Sequence, residues 1–387
     1  MVEWKNIGEI CYISDYVSNG SFASLRENVQ YKNEPDYAIL VRVADYSCGF
    51  DASKFVYIDE HAYNFLAKSS LDGGEIIMSN VGSCGLLFRC PKLDRKMSLA
   101  PNAILIKSDY IDFLYYWLGS NTGQEEIKKI TSKSAMPKFN KTEFKKINIP
   151  IPSLEEQTRI VGILDTFTAS IDNLKEQIAQ RRKQYEHYRD QLLDLEGKEG
   201  VEMKTLGEVC GIYDGTHQTP NYKEFGIKFV SVENIKDVYS SCKYISIEDY
   251  QNNYKTKPQK GDVLMTRIGD VGSCAVIDRD EPIAYYVSLA LLRPSTDLVL
   301  SNYVKYILES KTGKIELRKR TLLTAVPLKI NLGDIGKIKL PFPSLSEQQH
   351  IVSILDTFEA SIQNLEAQLS QREKQYEYYR NKLLTFE

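Results

Sequence analysis

The sequence has none of the patterns that identify a membrane protein or a secreted protein. No run approaches the roughly 18 consecutive apolar residues that a membrane-spanning helix needs. Residues 1–5 lack the basic and then apolar layout of a signal peptide. The seven cysteines are odd in number and include no CxxC pair, which favours reduced thiols over a disulfide framework. We therefore expect a cytoplasmic protein without membrane segments.

Sequence motifs that support catalysis or bind a cofactor are missing too. There is no GxxxxGK[ST] loop for nucleotide phosphates, and no GxGxxG turn lies between a strand and a helix. The four histidines are scattered, and neither HExxH nor a Cys/His zinc spacing occurs. The sequence thus predicts a chain that is not an enzyme by itself, that holds no metal and that binds no cofactor.

The sequence does contain an internal duplication. Residues 149–196 and 340–387 align with 30 of 48 positions identical. The similarity extends weakly upstream, where AMPKF (135–139) aligns with AVPLK (325–329). A repeat of this kind predicts an alternation of variable and constant segments. The predicted segments are a variable domain at 1–148, a constant helical region at 149–196, a linker at 197–203, a second variable domain at 204–339 and a second constant helical region at 340–387.

Each constant region begins with a helix-capping signal and continues with a heptad pattern. Ser153 is followed three residues later by Glu156, and Ser344 by Glu347, as in a capping box. Apolar residues then recur at alternating steps of four and three, interrupted in each copy by one arginine, which is typical of a coiled coil. The predicted seam comprises Ile160, Leu164, Phe167, Ile171, Leu174, Ile178, Tyr185, Tyr188, Leu192, Ile351, Leu355, Phe358, Ile362, Leu365, Leu369, Tyr376, Tyr379 and Leu383.

The connections determine the direction in which the two helices pair. The second variable domain starts shortly after the first helix and ends where the second helix begins. A compact domain of this size is far smaller across than a helix of about 65 Å is long. The two helix ends that flank the domain must therefore be neighbours, so the helices run antiparallel. The predicted fold class is α+β, with two mixed α/β domains separated by two long antiparallel coiled-coil helices and a pseudo-two-fold internal repeat.

Charge is distributed unevenly along the chain. The two constant regions together carry −6 and the rest carries +3, within a net charge of −3. Basic residues cluster late in each variable domain, Lys133 and Lys138 in the first and Arg318 and Arg320 in the second. Lys and Arg that neutralise phosphates supply most of the sequence-independent affinity for DNA. A solvated charged face explains either run alone equally well, but basic runs at the same place in both halves favour nucleic acid.

A polar, turn-rich loop in the second variable domain is suited to reading bases. It spans Tyr213–Tyr222, and side chains with hydrogen-bond donors and acceptors discriminate between base edges. An ordinary Asx turn explains the same composition equally well. Three arginines in apolar surroundings are further candidates. The candidate DNA-binding residues are Arg42, Arg89, Lys133, Lys138, Thr216, His217, Gln218, Thr219, Tyr222, Arg267, Arg318 and Arg320.

The layout and several motifs resemble the specificity subunit of type I DNA restriction–modification complexes. Both constant regions carry PSLxEQxxIVxILDxF, followed by QY and YRxxLL. The openings Ile7-Gly-Glu-Ile and Leu206-Gly-Glu-Val and the loop Gly215-Thr-His-Gln-Thr-Pro add to the resemblance, which covers essentially the whole chain. The first variable domain departs from the pattern because it lacks the Gly-Thr-His-Gln-Thr-Pro loop.

The resemblance implies two target-recognition domains that each read half of a split DNA site, with the helices acting as a ruler between them. The implied partners are double-stranded DNA, two methyltransferase subunits and restriction/translocase subunits, with no membrane. S-adenosylmethionine, ATP and Mg would serve those partner subunits and not this chain. The implied location is the cytoplasm of a bacterium or archaeon, at the nucleoid when in complex.

Two other functions fit parts of the pattern. A coiled-coil scaffold that tethers two protein-binding domains would explain the helices without any DNA binding. An enzyme that acts alone, such as a nuclease, would need a cluster of ligand side chains that the sequence lacks. The sequence leaves open which bases are read, how long the spacer is, whether the chain is soluble alone and which surface binds the methyltransferase.

Overall fold

The computed structural model describes residues 2–386. The chain forms two compact units, one built from residues 2–173 with 368–386 and the other from residues 174–367. Each unit contains one α/β domain and a part of both long helices. We call them the first unit and the second unit.

The α/β domain of the first unit has ten strands and seven helices among the described residues. In chain order these are β1 (Glu3–Asn6), α1 (Ile7–Ile10), β2 (Tyr12–Asp15), α2 (Phe22–Asn28), β3 (Ala38–Val41), α3 (Val43–Ser47), β4 (Tyr57–Ile58), α4 (Glu60–Phe65), β5 (Ser70–Leu71), β6 (Ile76–Ser79), β7 (Leu87–Arg89), β8 (Lys96–Leu99), β9 (Ala103–Lys107), α5 (Ile111–Gly119), α6 (Asn121–Ile130), α7 (Lys141–Phe144) and β10 (Asn148–Ile151).

These strands form two four-stranded sheets and one pair. The first sheet has the order β2-β9-β6-β7 and is antiparallel throughout. The second has the order β4-β3-β8-β5, in which β3 and β8 run parallel. The pair β1–β10 is antiparallel, with Trp4 opposite Pro150. It holds the start of the domain beside the strand that leads into the first long helix.

The second unit repeats this plan. Its elements are β11 (Glu202–Thr205), α9 (Leu206–Val209), β12 (Cys210–Asp214), β13 (Ile227–Val230), β14 (Tyr244–Ile245), α10 (Ile247–Asn253), β15 (Val263–Thr266), β16 (Cys274–Val276), β17 (Ile283–Tyr285), β18 (Leu289–Pro294), α11 (Ser301–Glu309), α12 (Lys311–Arg320), α13 (Leu332–Ile335) and β19 (Lys339–Phe342). The sheet orders are β12-β18-β15-β16 and β14-β13-β17, with β11 paired to β19. Strands β10 and β19 lie across the domain limits predicted at 148 and 339.

The two long helices begin where the capping boxes predict. They are α8 (Leu154–Leu192) and α14 (Leu345–Leu383), each of 39 residues. The Ser153 hydroxyl accepts the backbone N–H of Glu156 at 3.4 Å, and Ser344 accepts that of Glu347 at 3.3 Å. The first helix ends at Leu192, short of the predicted boundary at 196, and the chain after it buries Leu195 in the core of the second unit.

Within each unit the two long helices pack in opposite directions. In the first unit the Phe167 ring stacks on Tyr379, with centroids 5.4 Å apart, while Leu164 shares an apolar core with Leu384. In the second unit Tyr188 stacks on Phe358 at the same 5.4 Å. Residues of α8 thus meet residues of α14 in reverse order, which confirms the predicted antiparallel coiled coil.

The arginines that interrupt the heptads have a place in this packing. Arg181 lies over the ring of Phe358, 5.9 Å from its centroid, and Arg372 lies over Phe167 at 5.7 Å. A guanidinium over an aromatic face is attracted by the ring quadrupole. The predicted seam residues are buried or partly buried, except that Tyr188 stays 45% and Tyr379 42% exposed.

Each α/β domain is fixed to a long helix by the same hydrogen bond. The Tyr116 hydroxyl of α5 donates to the Asp165 carboxylate at 2.5 Å, and the Tyr306 hydroxyl of α11 donates to Asp356 at 2.5 Å. Burial raises the pKa of both tyrosines, so the phenols stay protonated as donors. The repeat is therefore preserved in the contacts between domain and helix as well as in the strand order.

The seven cysteines are free thiols. Among residues 2–386 no helix combines the length and the apolar character that crossing a bilayer requires.

Candidate nucleic-acid interface

The loop that comes after β12 in the second unit is held by backbone contacts. The backbone N–H of Thr216 donates to the carbonyl of Tyr285 at 3.2 Å, and that of Val287 donates to the Thr216 carbonyl at 3.0 Å. A Cβ atom on Gly215 would lie 2.5 Å from the Tyr286 backbone, so glycine alone fits there. The Tyr285 hydroxyl donates to the Asp214 carbonyl at 2.9 Å. The base of the loop is therefore rigid.

One carboxylate organises the side chains of this loop. Asp214 lies 2.8 Å from the His217 ring nitrogen and 3.0 Å from the Arg267 guanidinium. Arg267 also donates from Nε to the Val287 carbonyl at 2.7 Å and is 9% exposed. The donors of Arg267 are therefore engaged within the protein, where they position the loop, and no free guanidinium is presented to solvent.

The other predicted residues of the loop are on the surface. His217, Gln218, Thr219 and Tyr222 are exposed, whereas Thr216 is partly buried and its hydroxyl accepts the Gln218 N–H at 3.3 Å. The exposed side chains offer an imidazole, an amide and hydroxyls, which are the groups that hydrogen-bond to base edges in a groove. Asp214 accepts the N–H of Gly215 at 3.0 Å, and the N–H of Thr216 goes to Tyr285, so the bonds of an Asx turn are not formed at Asp214.

The first unit presents different residues at the same place. Asp15 ends β2 as Asp214 ends β12, and it accepts hydrogen bonds from Ser18 at 2.5 Å and from Lys141 at 2.8 Å. The chain then forms a short 3-10 turn and the helix α2, whose first residue, Phe22, is strongly exposed. The two units share the carboxylate anchor and differ in the segment that it supports.

Two predicted arginines of the first unit are also paired with carboxylates. The Arg42 guanidinium donates to the carboxylate of the buried Asp45 at 2.6 Å and to the Lys54 carbonyl at 2.7 Å. Arg89 forms an ion pair with Asp112 at 2.7 Å and lies over the Tyr115 ring. These contacts argue against a direct role in base reading, because the planar donors of each guanidinium are already engaged.

The predicted basic runs divide into exposed and paired residues. Lys133, Lys138 and Arg318 are exposed, and within residues 2–386 none of the three forms an ion pair. Arg320 is paired with Glu316 at 2.9 Å. The exposed three are thus the better placed to meet phosphates.

The structure corrects the alignment of the loops that come after these runs. The sequence aligns AMPKF with AVPLK, which places Pro137 opposite Pro327. In the structure the N–H of Gly82 bonds to the Pro137 carbonyl and that of Gly269 to the Leu328 carbonyl, both at 2.8 Å. The second loop is therefore one residue longer, and Lys138 corresponds to Lys329. A loop insertion of one residue leaves no signal in so short a match.

Sequence reasoning missed the anchors Asp15 and Asp214. A signal was available, since each carboxylate lies eight residues after the start of the paired openings Ile7-Gly-Glu and Leu206-Gly-Glu. It also missed Phe22 and Phe225, the two most exposed phenylalanines described. No group of three or more His, Cys, Asp or Glu side chains in the described chain is arranged to hold a metal ion.

Comparison with known proteins identifies relatives over most of the chain. The family model for the type I restriction modification DNA specificity domain matches residues 1–181 and 198–373. The EcoR124I/EcoR124II specificity subunit of Escherichia coli is 32% identical over 304 residues, which covers 71% of each chain. A putative type I restriction enzyme specificity subunit of Haemophilus influenzae is 30% identical over 297 residues, 71% of this chain and 72% of its own.

Solved structures share the fold. The type I restriction–modification S subunit from M. genitalium superposes with a TM-score of 0.59 at 15% identity and covers 100% of this chain and 97% of its own. A chain from a study of complex assembly and conformational transition of the type I R-M system gives 0.60 at 19% identity, covering 99% and 96%.

Proposed function

This chain belongs to the type I restriction–modification DNA specificity family, and we propose that it selects the DNA site at which such a complex acts. One observation carries the proposal: two domains of the same plan stand on an antiparallel helix pair and present unlike loops on the same anchors. Such a chain suits a site made of two unlike halves. The scaffold alternative has no support of its own, since the relatives are DNA specificity subunits.

We propose that the loop 216–222 reads the second half-site. Its outer residues are exposed while its base is fixed to Asp214 and Tyr285, so the readers are preorganised. In the first unit we assign the same role to the segment from Tyr16 through α2. Lys133, Lys138 and Arg318 then contribute phosphate contacts.

The helix pair is proposed to determine the spacing of the half-sites. Each helix of 39 residues would be about 58 Å long at 1.5 Å per residue. Half-sites one helical turn apart on DNA are some 34 Å from centre to centre. The pair is thus long enough to hold two readers at that spacing.

We propose that two methyltransferase subunits bind the repeated constant regions, because two copies of one partner need two copies of one surface. Restriction/translocase subunits join that assembly. The chemistry then lies in the partners, which bring S-adenosylmethionine, ATP and Mg, while this chain binds no cofactor. The complex would work in the cytoplasm, where its free thiols stay reduced.

Co-expression with the methyltransferase subunit tests the proposal. We expect adenine methylation at a split motif. Exchanging residues 1–148 for those of another specificity subunit should alter one half of the motif and leave the other half and the spacer unchanged. A continuous motif, or two altered halves, would overturn the assignment.

A further inference from the structure

An ordered loop of the second unit holds aliphatic side chains out in solvent. Between α12 and Ile330 the chain exposes four of them, with Val326 99% and Leu323 56% exposed. A soluble protein seldom keeps such a cluster open without a binding partner for it. We call these four residues, Leu322, Leu323, Val326 and Leu328, the apolar tip.

Backbone hydrogen bonds fix the shape of the apolar tip. The N–H of Leu322 donates to the Lys329 carbonyl at 2.8 Å, and that of Ala325 donates to the Leu322 carbonyl at 3.2 Å. The Gly269 N–H donates to the Leu328 carbonyl at 2.8 Å. The side chains are therefore presented by a formed hairpin, and a partner would meet them with little loss of backbone entropy.

The apolar tip is continuous with the reading loop. Ile330 donates its N–H to the Arg267 carbonyl at 3.0 Å. The Arg267 side chain in turn forms an ion pair with Asp214, which is hydrogen-bonded to the His217 ring. One chain of hydrogen bonds thus links the tip to the proposed readers within the second unit, so a duplex that touches the readers comes close to the tip.

Cations flank the apolar tip. Arg318 is exposed in the last turn of α12, and Lys329 is exposed at the base of the hairpin. Aliphatic side chains bordered by Lys and Arg match a duplex, in which phosphates surround an apolar stack of bases. A protein partner would need acidic side chains around its apolar contact to match those charges, whereas every duplex carries phosphates.

The first unit builds the corresponding hairpin, one residue shorter and with different side chains. There the N–H of Ser132 donates to the Lys138 carbonyl at 2.9 Å, and the N–H of Gly82 donates to the Pro137 carbonyl at 2.8 Å. Of the hairpin residues, Ser132, Lys133, Ser134 and Lys138 are polar or basic, whereas Ala135, Met136 and Pro137 are apolar, with Met136 67% exposed. Lys133 lies where the second unit has Leu323. A surface for two identical protein partners should be the same in both units, whereas a surface for two unlike half-sites should differ.

We infer that the apolar tip is a wedge that enters the DNA at the second half-site and unstacks a base step there. This inference rests on the proposed function and adds a named contact to it. Inserted Leu and Val side chains separate neighbouring bases and kink the duplex at flexible steps. The tip would thereby select for deformable steps, without a hydrogen bond to any base.

The test uses the complete complex with methyltransferase and a duplex that carries the mapped site. 2-Aminopurine, which brightens when it is unstacked, replaces one base at a time in the second half-site, away from the methylated adenine. The wild-type complex should brighten the probe at one step. The double variant Leu323→Ser/Val326→Ser should abolish that signal and weaken binding about 10- to 100-fold, as expected when two aliphatic side chains lose their burial.

Two control variants separate this effect from others. Leu298→Ser removes an aliphatic side chain as exposed as Leu322, 38% against 40%, outside the hairpin, and should leave the signal unchanged. Lys329→Ala should lower the salt dependence of binding by about one phosphate contact, whereas the double variant should keep the wild-type salt dependence.

Each remaining outcome counts against the inference. If the double variant loses methyltransferase while DNA contacts persist, the tip is a protein contact. If the double variant brightens the probe and binds DNA like wild type, the apolar tip contacts neither DNA nor methyltransferase. If the wild-type complex shows no site-specific binding at all, the proposed function fails first, which the methylation map reveals independently.

Discussion

Asp15 and Asp214 show how a single residue can support different surfaces. Each carboxylate ends the second strand of its domain and is held by a cation that comes from elsewhere in the chain, Lys141 for Asp15 and Arg267 for Asp214. In the second unit the same carboxylate also binds His217. Keeping the anchor while changing the adjoining loop lets one domain plan present new reading residues without a new core.

Removing the Asp214 carboxylate should reduce base discrimination at one half-site only. Asp214→Ala releases His217 and leaves Arg267 without its ion-pair partner, which costs about 3 kcal/mol for a buried charge. We expect discrimination at the second half-site to fall by about 10-fold while the first is unchanged, measured by competition between variant duplexes. Asp15→Ala is the matched control and should lower discrimination at the first half-site while leaving the second unchanged. Equal effects on both half-sites would contradict separate readers.

Glu309, at the end of α11, is a partly buried carboxylate. Burial raises its pKa, opposed by the Cys274 N–H, which donates at 2.9 Å, and by the charge of Lys305. A carboxyl whose pKa is higher in the folded state disfavours folding once it ionises. Its penalty is absent below its ordinary pKa and grows as the pH rises through the raised value.

Glu309→Gln should therefore change the pH dependence of stability. As the pH rises from the ordinary carboxyl pKa through the raised pKa of Glu309, the melting temperature of the variant should rise relative to wild type, because the neutral amide escapes the penalty. Glu316→Gln is the control of opposite sign. Burial raises the pKa of Glu316, but Lys319 and Arg320 outweigh burial and lower that pKa. This variant should therefore be less stable than wild type above the ordinary carboxyl pKa, and the difference should disappear as the pH falls through the lowered pKa. A difference in melting temperature between Glu309→Gln and wild type that stays the same at every pH would refute this explanation.

Ion pairs between residues that are distant in the sequence could not be predicted from the sequence. The sequence selects Arg42, Arg89 and Arg267 as free donors, and the structure pairs each with a carboxylate. For Arg267 the partner is 53 positions away, and for Lys141 it is 126 positions away. Such partners are brought together by sheet topology, which a local motif does not encode.

At the scale of elements, the helix pair is held by two equivalent clusters. In the second unit Phe358 receives Arg181 over its ring and Tyr188 stacked beside it, and in the first unit Phe167 receives Arg372 and Tyr379. The heptad pattern and the capping boxes predicted the helices correctly, and the chain connections predicted their antiparallel direction correctly. The aromatic and cationic contacts at the interruptions were not predictable, because they depend on which residues the antiparallel register brings together.

Truncating one of these rings should weaken the shared scaffold. Phe358→Ala removes a stacked ring and a cation–π contact and should lower the free energy of unfolding by about 2 kcal/mol, less than for a fully buried phenylalanine. Binding should weaken at both half-sites together, measured by titration of the two half-site variants. Tyr378→Ala on the exposed face of α14 is the control, and loss at one half-site alone would argue against a common scaffold.

At the scale of the whole molecule, a duplicated sequence has become two units of one plan, each with an α/β domain and a part of both long helices. The duplication, the helices and the family were accessible from the sequence, because long repeats and heptads are carried by many residues at once. The surfaces that we propose to read DNA were only partly accessible from the sequence. The loop 216–222 was visible in its composition, whereas the helix α2 and the apolar tip depend on how irregular segments fold against the sheets.

The most direct test of the central claim is the spacer of the methylated motif. Four residues inserted into both helices, after Asn173 and after Ala367, add about 6 Å to each, and a base pair rises about 3.4 Å. Long-read mapping of modified adenines should then show the same two half-sites with a spacer longer by about one or two base pairs. An unchanged spacer in a complex that still methylates would contradict the claim that the helix pair measures the distance between two readers.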